Sequence, residues 1–598
     1  MKTSISRKIS WSFIISFAKQ HKRKLLQANI IAIFAALISA PMPMLMPLLV
    51  DEVLLDKPAF LIATMNDIYP EAWWGPGLYI VTVMLLTMLL RFVSMMLAVW
   101  QTYKFTLVAK DITYSIRKTL LEKLQFVAMS EYETLGSGTV ASHLVTDVEA
   151  IDTFIGSALS KFIVALLSII GVAAILLWIH WQLALFILIM NPVVIYFTTV
   201  LGRKVKGLKK HENSAFELFQ QSISETLDAI HQIRSANRER HYLQRVADKA
   251  RGIKDTSAAF SWKSDAANRI SFFIFLMGFE VFRAMGMLMV VFSDLTIGQM
   301  IAVYAYLWFM MGPVQEILNI QYSYYAANAA MARLNNLLRL NTEPQYAHNI
   351  NPFEGENTVA LRVENISFSY SDGEPVLKDL SLNIHKGEKV ALVGTSGGGK
   401  STLVQMILGM YMPDHGQIYF NEVPVTEIGL DIVRDNVATV LQHPALFNDT
   451  VRHNLNLGKD YSDAELWNAL AVAQLSETIK NLPLQLDAIV GRSGVRLSGG
   501  QRQRLAVARM ILSQPKVVIL DEATSALDTE TEAKLHAAMQ IFLKGRTTII
   551  IAHRLTAVKQ ADRVYVFDDG KIIEEGVHDE MVLRDGVYKQ LYGTSTGV

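Results

Sequence analysis

Long apolar stretches alternate with polar, charged stretches through the first half of the chain. Each apolar stretch approaches the roughly 20 residues that a helix needs to cross a bilayer, so the pattern predicts membrane-spanning helices. The six predicted spans are residues 27–50, 78–100, 160–179, 182–201, 270–292 and 298–321. A tight turn near His180 and Trp181 is expected between the third and fourth spans. Long helix-like stretches after the second and fourth spans are too polar for lipid, so we expect them to project from the membrane.

The charges beside these spans predict their orientation. Basic residues are concentrated on one side of the predicted membrane, at 22–24, 104–123, 203–210 and 238–251. Because Lys and Arg are retained on the cytoplasmic side, that side is expected to be the cytoplasm. An even number of spans places both chain ends there as well. The sequence therefore predicts an integral, multi-pass membrane protein with cytoplasmic termini.

Near residue 341 the pattern changes to that of a water-soluble domain. Residues 341–358 are polar and contain two prolines, which predicts a linker. From 359 to 598, short apolar runs such as 390–393 and 517–520 alternate with amphipathic helical patterns. That alternation predicts a largely parallel sheet covered by helices. The expected fold is therefore multidomain, with an all-α transmembrane domain over residues 1–340 followed by an α/β domain.

Composition narrows the classes of function. Of the 598 residues, 51% are hydrophobic and 19% are charged, too apolar for an ordinary soluble enzyme. The formal net charge of +1 provides no bulk attraction to nucleic acid, so no nucleic-acid partner is expected. The chain has no cysteine, which excludes disulfides, thiolate zinc sites and cysteine nucleophiles.

A glycine-rich loop follows the apolar run at 390–393 and precedes a helical pattern. Its residues are Gly394, Thr395, Ser396, Gly397, Gly398, Gly399, Lys400, Ser401 and Thr402. Glycines let backbone N–H groups surround a phosphate, and the helix N-terminus adds the positive end of its dipole. Lys400 is expected to neutralise the β- and γ-phosphates, and Ser401 to bind Mg²⁺. The alternative is a Gly-rich turn with a chance Lys-Ser pair, but the flanking strand and helix favour nucleotide binding.

Two adjacent carboxylates end the apolar run at 517–520. In a parallel sheet, Asp521 and Glu522 would lie at the carboxyl edge, where phosphoryl-transfer sites gather. We expect Asp521 to act through Mg²⁺ and its waters, and Glu522 to accept a proton from the attacking water. On its own, a strand that ends in Asp-Glu is more often only a solvated strand end.

The segment Leu-Ser-Gly-Gly-Gln at 497–501 completes an ordered set of motifs that resembles the ABC ATPase family. The resemblance implies that the signature residues Ser498, Gly499, Gly500 and Gln501 bind the γ-phosphate of ATP held by a second subunit. It also implies that Tyr370 contacts adenine and that Gln442 contacts Mg²⁺ or water. By the same resemblance, Asp528 belongs to the loop that joins the two sites, and His553 contacts the γ-phosphate. The alternative for Tyr370 is a solvent-facing strand tyrosine, and for a lone histidine after a strand it is a structural role.

The order of the two halves resembles a type IV ABC exporter half-transporter. By that resemblance, the chain hydrolyses ATP with Mg²⁺ in a dimer, most simply of identical chains. Residues 131–147 resemble the family's first coupling region, and the second coupling region is expected near residues 235–241. Arg492 lies where the family usually has an acidic residue, which puts that loop's contact with the transmembrane extensions in doubt. With no obvious organelle-targeting extension, a bacterial cytoplasmic membrane is expected.

Ionisable residues inside the predicted spans are the sequence's clue to the cargo, because each charge costs at least about 2.5 kcal/mol at mid-bilayer unless paired or wet. They are Arg91, Glu280, Arg283 and Glu316. Glu280 also fits simple neutralisation by Arg283 on its own helix, or an interhelical pair with Arg91. The cargo stays open among lipids, hydrophobic drugs and small peptides. An ATP-gated channel or regulator, or the catalytic half of a heterodimeric exporter, are the alternative functions.

Overall fold

The computed structural model describes residues 8–57, 59–370, 373–441, 444–491, 497–521, 529–552 and 554–592. Their side chains are described except at 137, 186–195, 197–199, 201–204, 206, 318 and 529–532. By its internal contacts the chain divides into two compact units. The first comprises Met1–Gln125 and Ser137–Arg339, and the second comprises Phe126–Gly136 and Leu340–Val598.

Helices dominate the chain before residue 340. They are α1 Trp11–Gln20, α2 Lys22–Ser39, α3 Met42–Leu49, α4 Phe60–Ile68, α5 Pro76–Leu124, α6 Met129–Leu135, α7 Ser137–Ser142, α8 Val148–Thr153, α9 Leu159–Asp228, α10 Ile230–Ser235, α11 Glu239–Phe292 and α12 Ile297–Arg339. Short π-helical or 3₁₀ segments lie at Val50–Leu54, Glu71–Trp73, His143–Asp147 and Phe154–Ala158. At 49 residues, α5 is about 74 Å long, more than twice the roughly 30 Å hydrocarbon core. It therefore extends well beyond the lipid, as its polar second half predicts.

Five helical segments in the described part of the chain are long and apolar enough to cross a membrane. They are Lys22–Leu54, Pro76–Leu124, Gly138–Leu185, Glu239–Phe292 and Ile297–Arg339, and they contain the first, second, third, fifth and sixth predicted spans. The fourth predicted span, 182–201, lies within α9, where most of its side chains are outside the description. The backbone of His180 is non-helical (φ −160°, ψ 105°), which breaks α9 where the sequence predicts a tight turn.

A charged cluster ties α12 to the π-helical segment His143–Asp147. The Asp147 carboxylate accepts a hydrogen bond from Arg333 Nη2 at 2.5 Å and lies 2.6 Å from His143 Nδ1. Asp147 is buried, and a buried carboxylate is stable only when such partners replace its water. The cluster therefore fixes the packing of these two segments within the helical unit.

The second unit is an α/β domain. Its strands are β1 Leu361–Ser369, β2 Pro375–Ile384, β3 Lys389–Gly394, β4 His415–Phe420, β5 Val423–Pro424, β6 Val437–Val440, β7 Val517–Asp521, β8 Thr547–Ile551, β9 Arg563–Asp568 and β10 Lys571–Gly576. Its helices are α13 Lys400–Ile407, α14 Val425–Ile428, α15 Leu430–Asn436, α16 Val451–Asn456, α17 Asp463–Val472, α18 Ser476–Lys480, α19 Gly499–Leu512, α20 Thr529–Leu543, α21 Leu555–Val558, α22 His578–Met581 and α23 Val587–Tyr592, with a 3₁₀ turn at Gln485–Asp487.

Two sheets form this domain. The larger has the order β10-β9-β3-β8-β7-β6, in which β10 is antiparallel to β9 and the remaining neighbours are parallel. The smaller is antiparallel, with the order β2-β1-β4-β5. Parallel sheets are covered on both faces, which explains why the central strands read as continuous apolar runs.

The packing around β3 positions the loop that follows it. Val390 and Leu392 belong to a core shared with both sheets and with α13, whereas Ala391 and Val393 belong to a core shared with α21–α23. All four residues are fully buried, so β3 is held from both faces. The glycine-rich loop therefore begins at a rigid point and ends on a helix packed into the same core.

Candidate nucleotide-binding site

The glycine-rich loop connects the carboxyl end of β3 to the N-terminus of α13. Gly394, Gly397 and Gly399 have φ values of 135°, 82° and 96°, which favour glycine. A Cβ at Gly394 would lie 1.9 Å from the carbonyl oxygen of Phe567, and one at Gly399 would lie 2.5 Å from Leu377 Cδ2. The loop thus needs glycine both for its backbone conformation and for its close approach to neighbouring strands.

Lys400 is the cation of this loop. Its side chain is almost buried, and its Nζ donates to the carbonyl oxygens of Gly394 at 3.0 Å and Thr395 at 2.8 Å. Burial lowers the pKa of the Lys400 ammonium, and the carboxylate of Asp521 opposes that shift. A poorly solvated ammonium held at the mouth of a glycine loop is suited to exchange carbonyl partners for phosphate oxygens.

Asp521 ends β7, which lies two strands from β3 in the order β3-β8-β7. Because these strands are parallel, their carboxyl ends meet at one edge of the sheet. The Asp521 carboxylate therefore acts electrostatically on the Lys400 ammonium and opposes the lowering of its pKa by burial. Ser401 is solvent-exposed at the first turn of α13. A hydroxyl and a carboxylate are hard oxygen donors, so this edge fits Mg²⁺, which keeps several waters and takes phosphate oxygens as further ligands. Bound there, the ion would neutralise charge on the phosphates.

Tyr370 directly follows β1 and lies beside α13. Its hydroxyl is 3.1 Å from Thr402 Oγ1 and donates to Gln405 Oε1 at 3.0 Å. The residue is 38% exposed, so part of the ring is open to a ligand. The structure thus places the hydroxyl of this tyrosine against α13, the helix that begins with Lys400.

The signature residues form the N-terminus of α19. Ser498 Oγ accepts the Gln501 N–H at 3.2 Å, and Gln501 Oε1 accepts the Ser498 N–H at 2.8 Å, a reciprocal capping box. The helix is anchored through Leu505 and Val507 in a core different from that of α13. Ser498 is exposed, and a helix N-terminus is an anion-binding feature. The capping box thus orders the start of α19, where Ser498 is exposed, Gly499 and Gln501 are partly exposed and Gly500 is buried.

Four predicted site residues, Glu522, Gln442, Asp528 and His553, lie outside the described residues, and so does Arg492. Their roles stay predictions.

Three of the four ionisable residues named in the predicted spans form ion pairs, namely Glu280, Arg283 and Glu316. Glu280 lies 2.7 Å from Arg283, with both side chains about half exposed, and Glu316 lies 3.6 Å from Lys161. Lys161 was missed as a candidate, although it stands at the start of the third predicted span. Arg91 is exposed on α5. Among these residues of the predicted spans, Glu316 thus forms an ion pair with a different helix, through Lys161.

Three further residues bear on the nucleotide site. Asp568, at the end of β9, accepts from Thr395 Oγ1 at 3.1 Å and steadies the loop. Tyr411 packs its ring against Tyr370 and donates to Glu133 at 2.5 Å. Sequence alone gave a weak signal for Asp568, a carboxylate at the end of a strand, and none for the other two, because their contacts are long-range.

Comparisons with known proteins agree with this arrangement. Residues 377–525 match the family described as ABC transporter, and residues 29–314 match the ABC transporter transmembrane region. An ATP-dependent lipid A-core flippase of Photobacterium profundum is 31% identical over 523 residues, 87% of this chain and 88% of the relative. A multidrug resistance ABC transporter ATP-binding and permease protein of Lactococcus lactis is 29% identical over 486 residues, 80% of this chain and 81% of the relative.

The fold also matches a solved structure, that of a bacterial Atm1-family ABC exporter with ATP bound. The TM-score is 0.79 over 96% of this chain and 99% of the other, at 24% identity. A phosphate-binding loop in an α/β domain, fused to a helical membrane domain, defines an ATP-driven membrane transporter. This chain belongs to the ABC transporter family, as an exporter half-transporter of type IV that couples ATP hydrolysis to transport. The fold class and activity predicted from the sequence are confirmed.

Proposed function

We propose that this chain exports an amphipathic lipid across the bacterial cytoplasmic membrane by alternating access, as a dimer of identical chains. The ATPase domain, residues 359–598 after the linker at 341–358, and both termini lie in the cytoplasm. ATP and Mg²⁺ bind between two ATPase domains, and their closure converts an inward-open cavity of the domain at 1–340 to an outward-open one.

The observation that supports this proposal is that the phosphate loop and the signature motif begin helices that pack into different cores. Lys400 and Tyr370 converge on α13, whereas Ser498 and Gln501 cap a helix anchored in another core and bond to each other. In the proposal, the signature residues of a second chain, beginning with the exposed Ser498, complete each ATP site. In this site Ser401, Asp521 and Gln442 hold Mg²⁺, Glu522 is the general base, and His553 contacts the γ-phosphate.

The membrane domain supports an amphipathic cargo. Large apolar side chains are exposed along α5 and α11, among them Leu89, Phe92 and Phe273. Beside such surface lie the half-exposed pair Glu280–Arg283 and the pair Lys161–Glu316. Charges in lipid-depth helices mark substrate paths, and a molecule with polar head and apolar tails satisfies both kinds of surface. The flippase relative favours lipid, and the multidrug relative makes hydrophobic drugs the second candidate.

The test is ATP hydrolysis by the purified chain in lipid nanodiscs, with lipid A, hydrophobic cationic drugs and small peptides added separately. We expect basal turnover by the chain alone and stimulation by the lipid. Glu522→Gln, which keeps the side-chain volume and removes the base, defines the background. Stimulation by drugs alone would replace the lipid proposal, and inactivity of well-folded dimers would overturn the self-sufficient pump.

Replacing Tyr370 with alanine is expected to weaken ATP binding about tenfold, because base–aromatic stacking contributes roughly 1–3 kcal/mol. The maximal hydrolysis rate should change little, because the proposed partner of this ring is the base and not the reacting phosphates. Tyr370→Phe is the matched variant, since it keeps the ring and loses only the bonds to Thr402 and Gln405. Titration of a fluorescent ATP analogue checks this. Equal affinity for both variants and the parent would contradict adenine stacking.

A further inference from the structure

The segment Phe126–Gly136 lies in the ATPase unit although it directly follows α5, a membrane-crossing helix. Its backbone is hydrogen-bonded to the chain just after α12. The Ala128 N–H donates to the Asn341 carbonyl at 2.9 Å, and the Glu343 N–H donates to the Phe126 carbonyl at 2.8 Å. The segment is thus held within the ATPase unit and is covalently continuous with α5.

A guanidinium anchors Glu343, whose N–H is bonded to Phe126 of this segment, to the end of α13. Arg434 makes a two-point ion pair with Glu343, at 2.8 and 2.9 Å. The same Arg434 donates to the carbonyl oxygens of Leu408 at 3.1 Å and Gly409 at 2.6 Å, just beyond the last turn of α13. This connection reaches the segment through Glu343, and the hydrogen bonds described for Arg434 do not include Tyr370 or Tyr411.

A second connection starts at the base-stacking tyrosine. The rings of Tyr370 and Tyr411 lie 5.2 Å apart at 82°, and Phe368 packs edge-on against both, at 4.9 and 5.4 Å. Tyr411 is 7% exposed, so its ring is confined. Its hydroxyl donates to Glu133 Oε2 at 2.5 Å. Burial, and then the neighbouring Glu133 carboxylate, raise the pKa of the Tyr411 hydroxyl, which therefore stays protonated and able to donate.

We propose that Tyr411 is a positioning residue that transmits occupancy of the adenine side of the ATP site, through Glu133, to the membrane helix α5. The inference rests on the proposed function insofar as Tyr370 stacks on adenine. A base on Tyr370 restricts that ring, and the closely packed edge of Tyr411 has to follow it. The charge-assisted bond to Glu133 carries the displacement into the segment that continues from α5.

The experiment uses the full chain in nanodiscs of phosphatidylethanolamine and phosphatidylglycerol. Because the chain has no cysteine, Tyr114→Cys gives a single thiol in the polar part of α5, beyond the predicted span, at a position that is 69% exposed. The rate of maleimide labelling with and without ATP reports the conformation of the membrane helix, and no cargo is required. A fluorescent ATP analogue measures nucleotide affinity in the same samples, and the melting temperature checks the fold.

In the Tyr114→Cys parent, ATP should change the labelling rate. In Tyr411→Phe and in Glu133→Ala, nucleotide affinity should stay within about threefold, while the ATP-dependent part of the labelling rate falls about fivefold or more. Glu133→Gln should keep the response, because its amide oxygen still accepts the hydroxyl. Tyr419→Phe, which removes a hydroxyl bonded to Gln417 in β4, is the matched control. The double variant Tyr411→Phe, Glu133→Ala should respond like either single variant.

Each outcome separates the two proposals. An unchanged ATP response in well-folded Tyr411→Phe overturns the inference and leaves the exporter proposal standing. A loss of affinity equal to the loss of response assigns Tyr411 to the nucleotide site itself, which also overturns it. If ATP leaves the parent's labelling unchanged, alternating access fails and the inference fails with it.

Discussion

Replacing Lys400 with methionine is expected to lower the rate of ATP hydrolysis by at least about 100-fold, the usual effect of removing a group that stabilises transition-state charge. The ammonium is almost buried, and its Nζ partners are the carbonyls of Gly394 and Thr395 at the mouth of the loop. Methionine keeps most of the buried alkyl stem, so the fold should persist while the charge is lost. Release of inorganic phosphate in nanodiscs measures the effect.

Lys386→Met is the control for removing a lysine from the same domain. Lys386 lies 2.9 Å from Glu356, with both side chains nearly half exposed, and such surface pairs contribute little. Its hydrolysis rate should match that of the parent. Retention by Lys400→Met of about a tenth or more of the parent's hydrolysis rate would show that the site does not depend on this ammonium.

Replacing Gly394 with alanine is expected to destabilise the ATPase domain strongly and lower its urea unfolding midpoint. The new Cβ would lie 1.9 Å from the Phe567 carbonyl oxygen, on a backbone with φ of 135°. Gly394 and Phe567 are paired in the β3–β9 ladder, so relief requires moving a central strand. Such overpacking, added to a disfavoured backbone, costs about 3 kcal/mol or more. Urea unfolding followed by tryptophan fluorescence, with ATP binding alongside, checks this.

Gly397→Ala separates the two contributions. Its φ is 82°, but a Cβ there has no heavy atom within 4 Å. Only the backbone conformation is penalised, by about 1–2 kcal/mol, so the unfolding midpoint should fall less than for Gly394→Ala. Equal midpoints for the two variants would show that the approach of β9 is not what requires glycine at residue 394.

Hydropathy alone identified the membrane-crossing helices, because lipid imposes a length of apolar sequence that is visible residue by residue. Five described helical segments contain predicted spans, and the backbone of α9 breaks at His180 as expected. The glycine loop was equally predictable. Strand, loop and helix are consecutive in the chain, so their spacing already specifies a phosphate site. The capping box of Ser498 and Gln501 likewise needs only four consecutive residues.

The tertiary structure alone decided which side chains that lie far apart in the chain become partners. Glu133 meets Tyr411 across 278 positions, and Asp147 meets Arg333 across 186. The pairing of Glu316 with Lys161 and the place of Phe126–Gly136 in the ATPase unit are of the same kind. Periodicity reports which face of an element is buried, but not which element covers it. The sequence by itself therefore determined the spans and the chemistry of the phosphate loop. The connection from adenine to the membrane helix arises only when packing brings those elements together.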